Sequence, residues 1–307
     1  MSGHARARPD RLSGLLPAPR GTSRILAEPL GSLAGAVPPL PFSDLVDPTY
    51  YRGPTEESNW VLHGRLLVGA YPGAVDDGQN DAILRSILEL GITTFVCLQS
   101  EYQHRGVSRE DWIAGTKLRP YIYDAVRLLP SIRWPSPSQC CAPKPTEGLH
   151  FLHFPIVDCS TANDTGVLEL AHDLVNRLAS GENLYVHCWG GHGRTGTVVS
   201  IMLGLMYGLP ARNCMAYLQH VHDLRICPMD VGTPQTSQQR RQVIRILSAV
   251  RRAGIVAEAP PAPLGKAPSV SDGAVGTANA SRRAASVGQS AHRRTAAIVA
   301  ESLPMPP

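Results

Sequence analysis

The feature that most constrains this chain is a short apolar run, Asn183 to His187 (NLYVH), that breaks into Cys188-Trp189-Gly190-Gly191-His192-Gly193. A long helical pattern follows, from Arg194 to Tyr207, closed by Gly208. A buried strand that turns through glycines straight into a helix is a βα unit, and strand-like and helix-like patterns alternate around it. Arg65 to Ala70 (RLLVGA), Ile92 to Leu98 (ITTFVCL) and Phe151 to Val157 read as strands. An early helix carries Ile83, Leu84, Ile87 and Leu88 on one face, with Asn80 or Asp81 as its cap and Gly91 as its stop. A second carries Val167, Leu170, Ala171, Leu174, Val175 and Leu178, and Pro210 to Leu224 and Ser237 to Arg252 complete the helical set. The expected fold class is α/β, a single domain whose central, mostly parallel, twisted sheet is flanked by helices.

Composition sets the expected boundaries. No aromatic residue precedes Phe42 or follows Tyr217, and both ends are rich in Ala, Pro, Ser, Gly and Arg, a composition that buries too little apolar surface to order itself. Residues 1–55 and 254–307 are therefore expected to be disordered tails around a domain at 56–253. The Pro-rich interval Leu129 to Pro145 reads as a surface insertion. A net charge of only +4 lacks the dense basic stripe of a nucleic-acid binder. Seven cysteines, an odd set without repeated spacing, argue against a disulfide framework or a zinc ribbon and for a reducing compartment. No run of about 18 apolar residues is present to span a bilayer, so a cytoplasmic location is expected. Arg6, Arg8, Arg11, Arg20 and Arg24 against the single acid Asp10 keep an organelle transit peptide as the alternative. Oligomeric state is left open.

The chemistry concentrates where Cys188 and Arg194 bracket five residues. Gly190, Gly191 and Gly193 let the backbone curl so that successive N–H groups point inward, a nest for an anion at a helix N-terminus. Trp189, Gly190, Gly191, His192, Gly193 and Arg194 are thus the expected phosphate-binding residues. The same N–H groups and the positive helix end favour a thiolate at Cys188. Arg194 offers a planar fork for two phosphoryl oxygens, a grip lysine would not replace. Thr195 is expected to donate its hydroxyl to the sulfur, and His187 to order the loop through hydrogen bonds.

HCWGGHGRTG, residues 187 to 196, resembles the signature loop of the protein tyrosine phosphatase superfamily, particularly its dual-specificity branch. The resemblance implies a phosphoric monoester hydrolase in which Cys188 is the nucleophile. It needs no cofactor and no metal, and its expected partner is a phosphorylated protein. Such chemistry requires a carboxylic acid near the loop. Asp158, in His153-Phe154-Pro155-Ile156-Val157-Asp158, is similar in placement to the movable acid loop of the family and is read as general acid and then general base. Asp164, before an amphipathic helix, is more simply a cap. Gln235 resembles the glutamine that orients the hydrolytic water in tyrosine phosphatases, although Thr236 and Gln239 also stand at capping-box spacing.

The loop lacks the lysines often found in phosphoinositide phosphatases, which favours phosphotyrosine in proteins, with phosphoserine and phosphothreonine left open. The runner-up, an inositol phosphate or phosphoinositide, leans on a protonated His192. A silent phosphate-binding module is a further alternative, yet nucleophile, arginine and acid are all present. His220 and His222, two residues apart on a helix, face different directions, and with Cys227 they find no fourth ligand, so they do not suggest a metal. Cys159 is a candidate resolving thiol for Cys188, with a spectator role as the favoured alternative, and Glu101 is a candidate partner of Arg194 that reads by default as a solvated loop acid.

Overall fold

In a computed structural model of the chain, the residues described are Leu40, 47–136, 142, 145, 148–254 and 299–303. The elements in chain order are β1 (Ser58–Leu62), β2 (Leu66–Gly69), α1 (Asp77–Leu88), β3 (Thr94–Gln99), α2 (Arg109–Ile113) and α3 (Tyr121–Leu128). They continue with β4 (Leu149–Ile156), α4 (Asp164–Ala179), β5 (Leu184–His187), α5 (Gly193–Tyr207), α6 (Ala211–Asp223), α7 (Ser237–Arg252) and β6 (Val299–Leu303). The sheet runs β1-β2-β5-β3-β4-β6. Its four central strands are parallel, and the outer strands β1 and β6 are antiparallel to their neighbours.

Alternation along the strands divides the core in two. Leu66, Val68, Val96, Leu98, Leu152, Phe154, Leu184 and Val186 pack with the apolar faces of α4, α5, α6 and α7. Leu67, Phe95, Cys97, Phe151 and Tyr185 pack on the other side with α1 and α3. The central strands are apolar on both faces because helices cover both. Each fully buried Leu, Val or Phe contributes roughly 1.5–3 kcal/mol, and α5 is buried along almost its whole length.

Local chemistry moves several expected boundaries. α1 is capped by Asp76, whose side chain accepts from the Gln79 N–H; Asn80 lies inside the helix and instead bonds Ala74 N and Asp124. α4 is capped by Asn163, so Asp164 stands at the first helical position. The interval after Leu128 is more than a surface insertion, since Leu129, Ile132 and Ala142 are buried and the Trp134 indole donates to Ala142 O. Order begins before residue 56, because Tyr51, in a short 3-10 turn at Pro48–Tyr51, is 3% exposed and joins the core. The segment expected as a disordered C-terminal tail contributes β6, whose backbone pairs with β4 from Leu149↔Leu303 to His153↔Val299. The remaining calls on 1–55 and 254–307 lie outside the described residues. Among the described residues, no single helix is long and apolar enough to cross a membrane.

Candidate active site

Register places the site. His187, the last residue of β5, pairs with Gly69 of β2 and Cys97 of β3, so the carboxyl ends of the parallel strands open on one edge. Crevices at that edge are where open α/β sheets bind ligands. The loop leaving β5 is flanked there by Ala70 and Tyr71 after β2, Glu101 after β3 and Asp158 after β4. These chains enclose a cleft of about 450 Å³ lined by Glu57, Tyr71, Asp158, Cys188, Trp189 and Arg194 among others. Cys188 sits within it at 3% exposure.

The loop is curled by what holds its outside. Arg225, 3% exposed, donates to Gly190 O and Gly191 O, both at 3.1 Å, while its Nε donates to Asn59 Oδ1 at 2.7 Å. Thr233 Oγ1 donates to His192 O at 3.0 Å. In a planar peptide an outward carbonyl turns the next N–H inward, so these anchors aim the N–H groups of Gly191, His192 and Gly193 into the loop. His192 is the N-cap of α5 and its side chain makes no cap bond, which leaves the helix N-terminus open to an anion. Gly191 has φ +72, and a Cβ there would stand 2.4 Å from Gly69 O, so glycine is required. Burial pulls the Arg225 pKa down to about 10, still leaving a cation at neutral pH.

His187 anchors the inner side. Tyr121 Oη lies 2.6 Å from Nε2, and Nδ1 is 3.3 Å from Cys188 O. A carbonyl only accepts, so Nδ1 carries the proton and Nε2 accepts from the tyrosine. Burial holds the His187 pKa at about 3.

Arg194 is 1% exposed and gathers the remaining chemistry. It donates to both Glu101 oxygens at 2.8 and 3.0 Å and to Ile156 O at 3.2 Å, and its Nη2 lies 2.9 Å from Asp158 Oδ1. Glu101 is thus no solvated loop acid. Burial pushes its carboxyl up, and the Arg194 hydrogen bonds and charge more than reverse that, holding it below its ordinary value. Thr195 departs from expectation as well: its Oγ1 is buried and makes no hydrogen bond, to sulfur or otherwise. Arg194 Nε is likewise buried and unpartnered. Two buried donors left without a partner are costly unless an anion completes them.

The other candidates sort by position. Asp158 lines the cleft, whereas Asp164 is engaged by Arg245 and Gln242 at 2.5–2.9 Å away from it. Gln235 lines the cleft and is exposed; Gln239 is buried, closing the capping box with Thr236 and donating to Ser160 O. Trp189 is 58% exposed, its ring stacked on Tyr71 at 6.0 Å, so this residue offers the loop its backbone and the cleft rim its indole. His192 lines the cleft with its pKa held at about 3, first by burial and then by Arg225 and His222. It therefore brings no positive charge. Cys159, at φ +55, is exposed in the same cleft. His220 packs edge-on to Tyr51 and His222 bonds His192, and among the described residues no group of three or more His, Cys, Asp or Glu could hold a metal. Tyr71, Arg225 and Asn59 are site residues that no sequence pattern announces.

Residues 133–262 match the family described as Swiss Army Knife protein, DSP-PTPase phosphatase domain. Over those residues the chain is similar to a phosphatase domain of the dual-specificity type. A curated relative, "Putative tyrosine phosphatase 067L" of Invertebrate iridescent virus 3, is 29% identical over 80 residues, 25% of this chain, and the match spans a third of that relative's length. Similar solved structures include Tk-PTP in the active form (18% identity, 60% of this chain and 92% of that one, TM-score 0.39). Human DUSP28(Y102H) is similar at 12% identity, with 65% and 95% coverage and a TM-score of 0.38. PTPMT1 in complex with PI(5)P is similar at 13% identity, with 62% and 95% coverage and a TM-score of 0.41.

Proposed function

We propose that the chain hydrolyses phosphotyrosine in proteins through a cysteinyl-phosphate intermediate on Cys188. The observation that carries this reading is the convergence of a buried cysteine, inward N–H groups, Arg194 and Asp158 on one cleft. Cys188 Sγ attacks phosphorus and the bond to the leaving-group oxygen breaks. Asp158 delivers a proton to that oxygen. Water then attacks phosphorus, Asp158 takes its proton, and the S–P bond breaks to release phosphate. The Arg194 fork meets the equatorial oxygens, where charge spreads in the transition state. An incoming phosphoryl group competes with Asp158 for the guanidinium and frees the carboxyl to face the leaving group. Gln235, exposed on the cleft, is placed to orient the water.

A protein substrate is favoured over an inositol phosphate because, among the described residues, the wall of this cleft has Glu57 and Asp158, no lysine, and a neutral His192, while Lys117 in the adjoining hollow is paired with Asp111. The stacked Tyr71 and Trp189 rings offer an apolar rim to a phosphorylated aromatic side chain. The test is phosphate release from phosphotyrosyl, phosphothreonyl and inositol phosphate substrates by wild-type and Cys188→Ser chains. Release from the phosphotyrosyl peptide that is fastest of the three and lost in Cys188→Ser is expected. Activity that survives Cys188→Ser would refute the mechanism.

A further inference from the structure

Behind the phosphate loop lies a chain of side chains that the reaction above does not use. His222, 1% exposed on α6, points Nε2 at His192 Nδ1 across 2.8 Å, and its own Nδ1 lies 3.2 Å from Asp223 Oδ1. Gln219 donates to the same carboxylate oxygen at 2.7 Å. Donor logic fixes every proton in this chain. A carboxylate only accepts, so His222 donates from Nδ1; a neutral imidazole has one proton, so its Nε2 is bare. His192 must therefore donate from Nδ1, which leaves its Nε2 as a lone pair.

The imidazole that carries that lone pair lines the cleft. The Nε2–Cδ2 edge of His192 lies across Gly190, where a Cβ would stand 2.5 and 2.6 Å from those two atoms, and both residues line the cleft. Around the imidazole pair stand Arg225, whose guanidinium holds the loop carbonyls, and Asp223 at the solvent end; Glu57, Asp158, Cys188 and Arg194 share the cleft. Burial and Arg225 hold both histidines below their ordinary pKa, so the tautomer argument applies throughout the neutral range.

We propose that Asp223 and His222 lock His192 as a hydrogen-bond acceptor on the cleft wall, making His192 the residue that selects a phosphomonoester whose leaving group brings a donor over one that brings a second phosphate. The donors are the amide N–H groups of a phosphopeptide. A second phosphate meets a lone pair where a cation would be needed. The selection rests on the phosphatase reading of the same cleft. His192 determines specificity, and His222 and Asp223 are positioning residues.

Two measurements test it. Long-range nitrogen–proton spectra of the wild-type chain labelled in histidine should show His192 and His222 each protonated at Nδ1 and bare at Nε2. A proton on His192 Nε2 at pH 7 would overturn the proposal. The ratio of kcat/KM for a phosphotyrosyl peptide over inositol 1,4-bisphosphate should fall by about tenfold or more in His192→Lys, mainly through the KM of the bisphosphate. A ratio within about twofold of wild type, in a variant still active on the peptide, would overturn the selection alone. A wild-type chain inactive on both substrates would instead remove the phosphatase reading, and the selection with it.

Discussion

The loop after β5 and the loop after β4 leave the same edge of one sheet and bring Cys188 and Asp158 to one cleft, but they are held very differently. Cys188, Gly191 and Gly193 are buried, and Arg225, Thr233, His222 and Tyr121 grip the loop from three further elements. Val157, Asp158 and Cys159 are exposed, and the ties from α7 reach that loop beyond the acid, where Gln239 reaches Ser160 O and Gln242 reaches Ala162 O. The anion nest is preorganised, which is where electrostatic catalysis gains most, whereas the acid hangs on one displaceable ion pair to Arg194.

This contrast orders the expected effects. Arg194→Lys should reduce kcat by about 1,000-fold, because a point charge loses both the bidentate grip and the Glu101 brace; steady-state rates on a phosphotyrosyl peptide check this. Asp158→Asn should slow the same substrate by about 100-fold or more, and Asp164→Asn should leave kcat unchanged. Equal losses in the two would erase the assignment of the acid.

The buried loop should also carry a pH signature in stability. With its folded pKa at about 3, His187 takes no proton between pH 6.5 and 3, while the unfolded chain does. Stability must therefore be lost as pH falls below 6.5, by about 2 kcal/mol at pH 5 from this residue alone. His63, His153, His172, His192 and His222 are displaced the same way by burial and add to the trend. Urea unfolding at pH 7 and pH 5 measures it, and equal stability at both would contradict the buried, neutral loop histidine. Arg225→Met should lower kcat/KM by about tenfold and reduce the melting temperature, since it strands Asn59 and two loop carbonyls. Gln235→Ala, on an exposed residue of the cleft rim, should cost only about threefold in kcat.

Much of this was legible in the sequence where one pattern served one purpose. The run from Asn183 through Gly208 spells strand, glycine turn and helix, and the structure places β5, the loop and α5 there. β1 was not legible, because Ser58, Asn59, Trp60, Val61 and Leu62 are all buried without alternation, Ser58 being satisfied locally by Thr55 and Asn59 by the distant Arg225. α3 hid in a segment that opens on Pro120 without a side-chain cap, yet it supplies the tyrosine that holds His187. Asn163 rather than its neighbour Asp164 caps α4, and Asp76 rather than Asn80 or Asp81 caps α1, each decided by which N–H its side chain could reach. Arg225, Glu101 and the His192–His222 pair owe their roles to tertiary proximity, which leaves no local spacing to read. Cys188, Arg194 and Asp158 stood out in the sequence because the roles proposed for them require fixed residue types.

The central claim is that a phosphoryl group passes through the sulfur at position 188. Rapid acid quench of the wild-type chain during turnover of a phosphotyrosyl peptide, followed by mass spectrometry of its peptides, tests it most directly. The account predicts one phosphoryl group on the peptide containing Cys188, acid-stable on the time of the quench and missing in Cys188→Ser. Turnover with no phosphorylated Cys188, or with phosphate on another side chain, would contradict it.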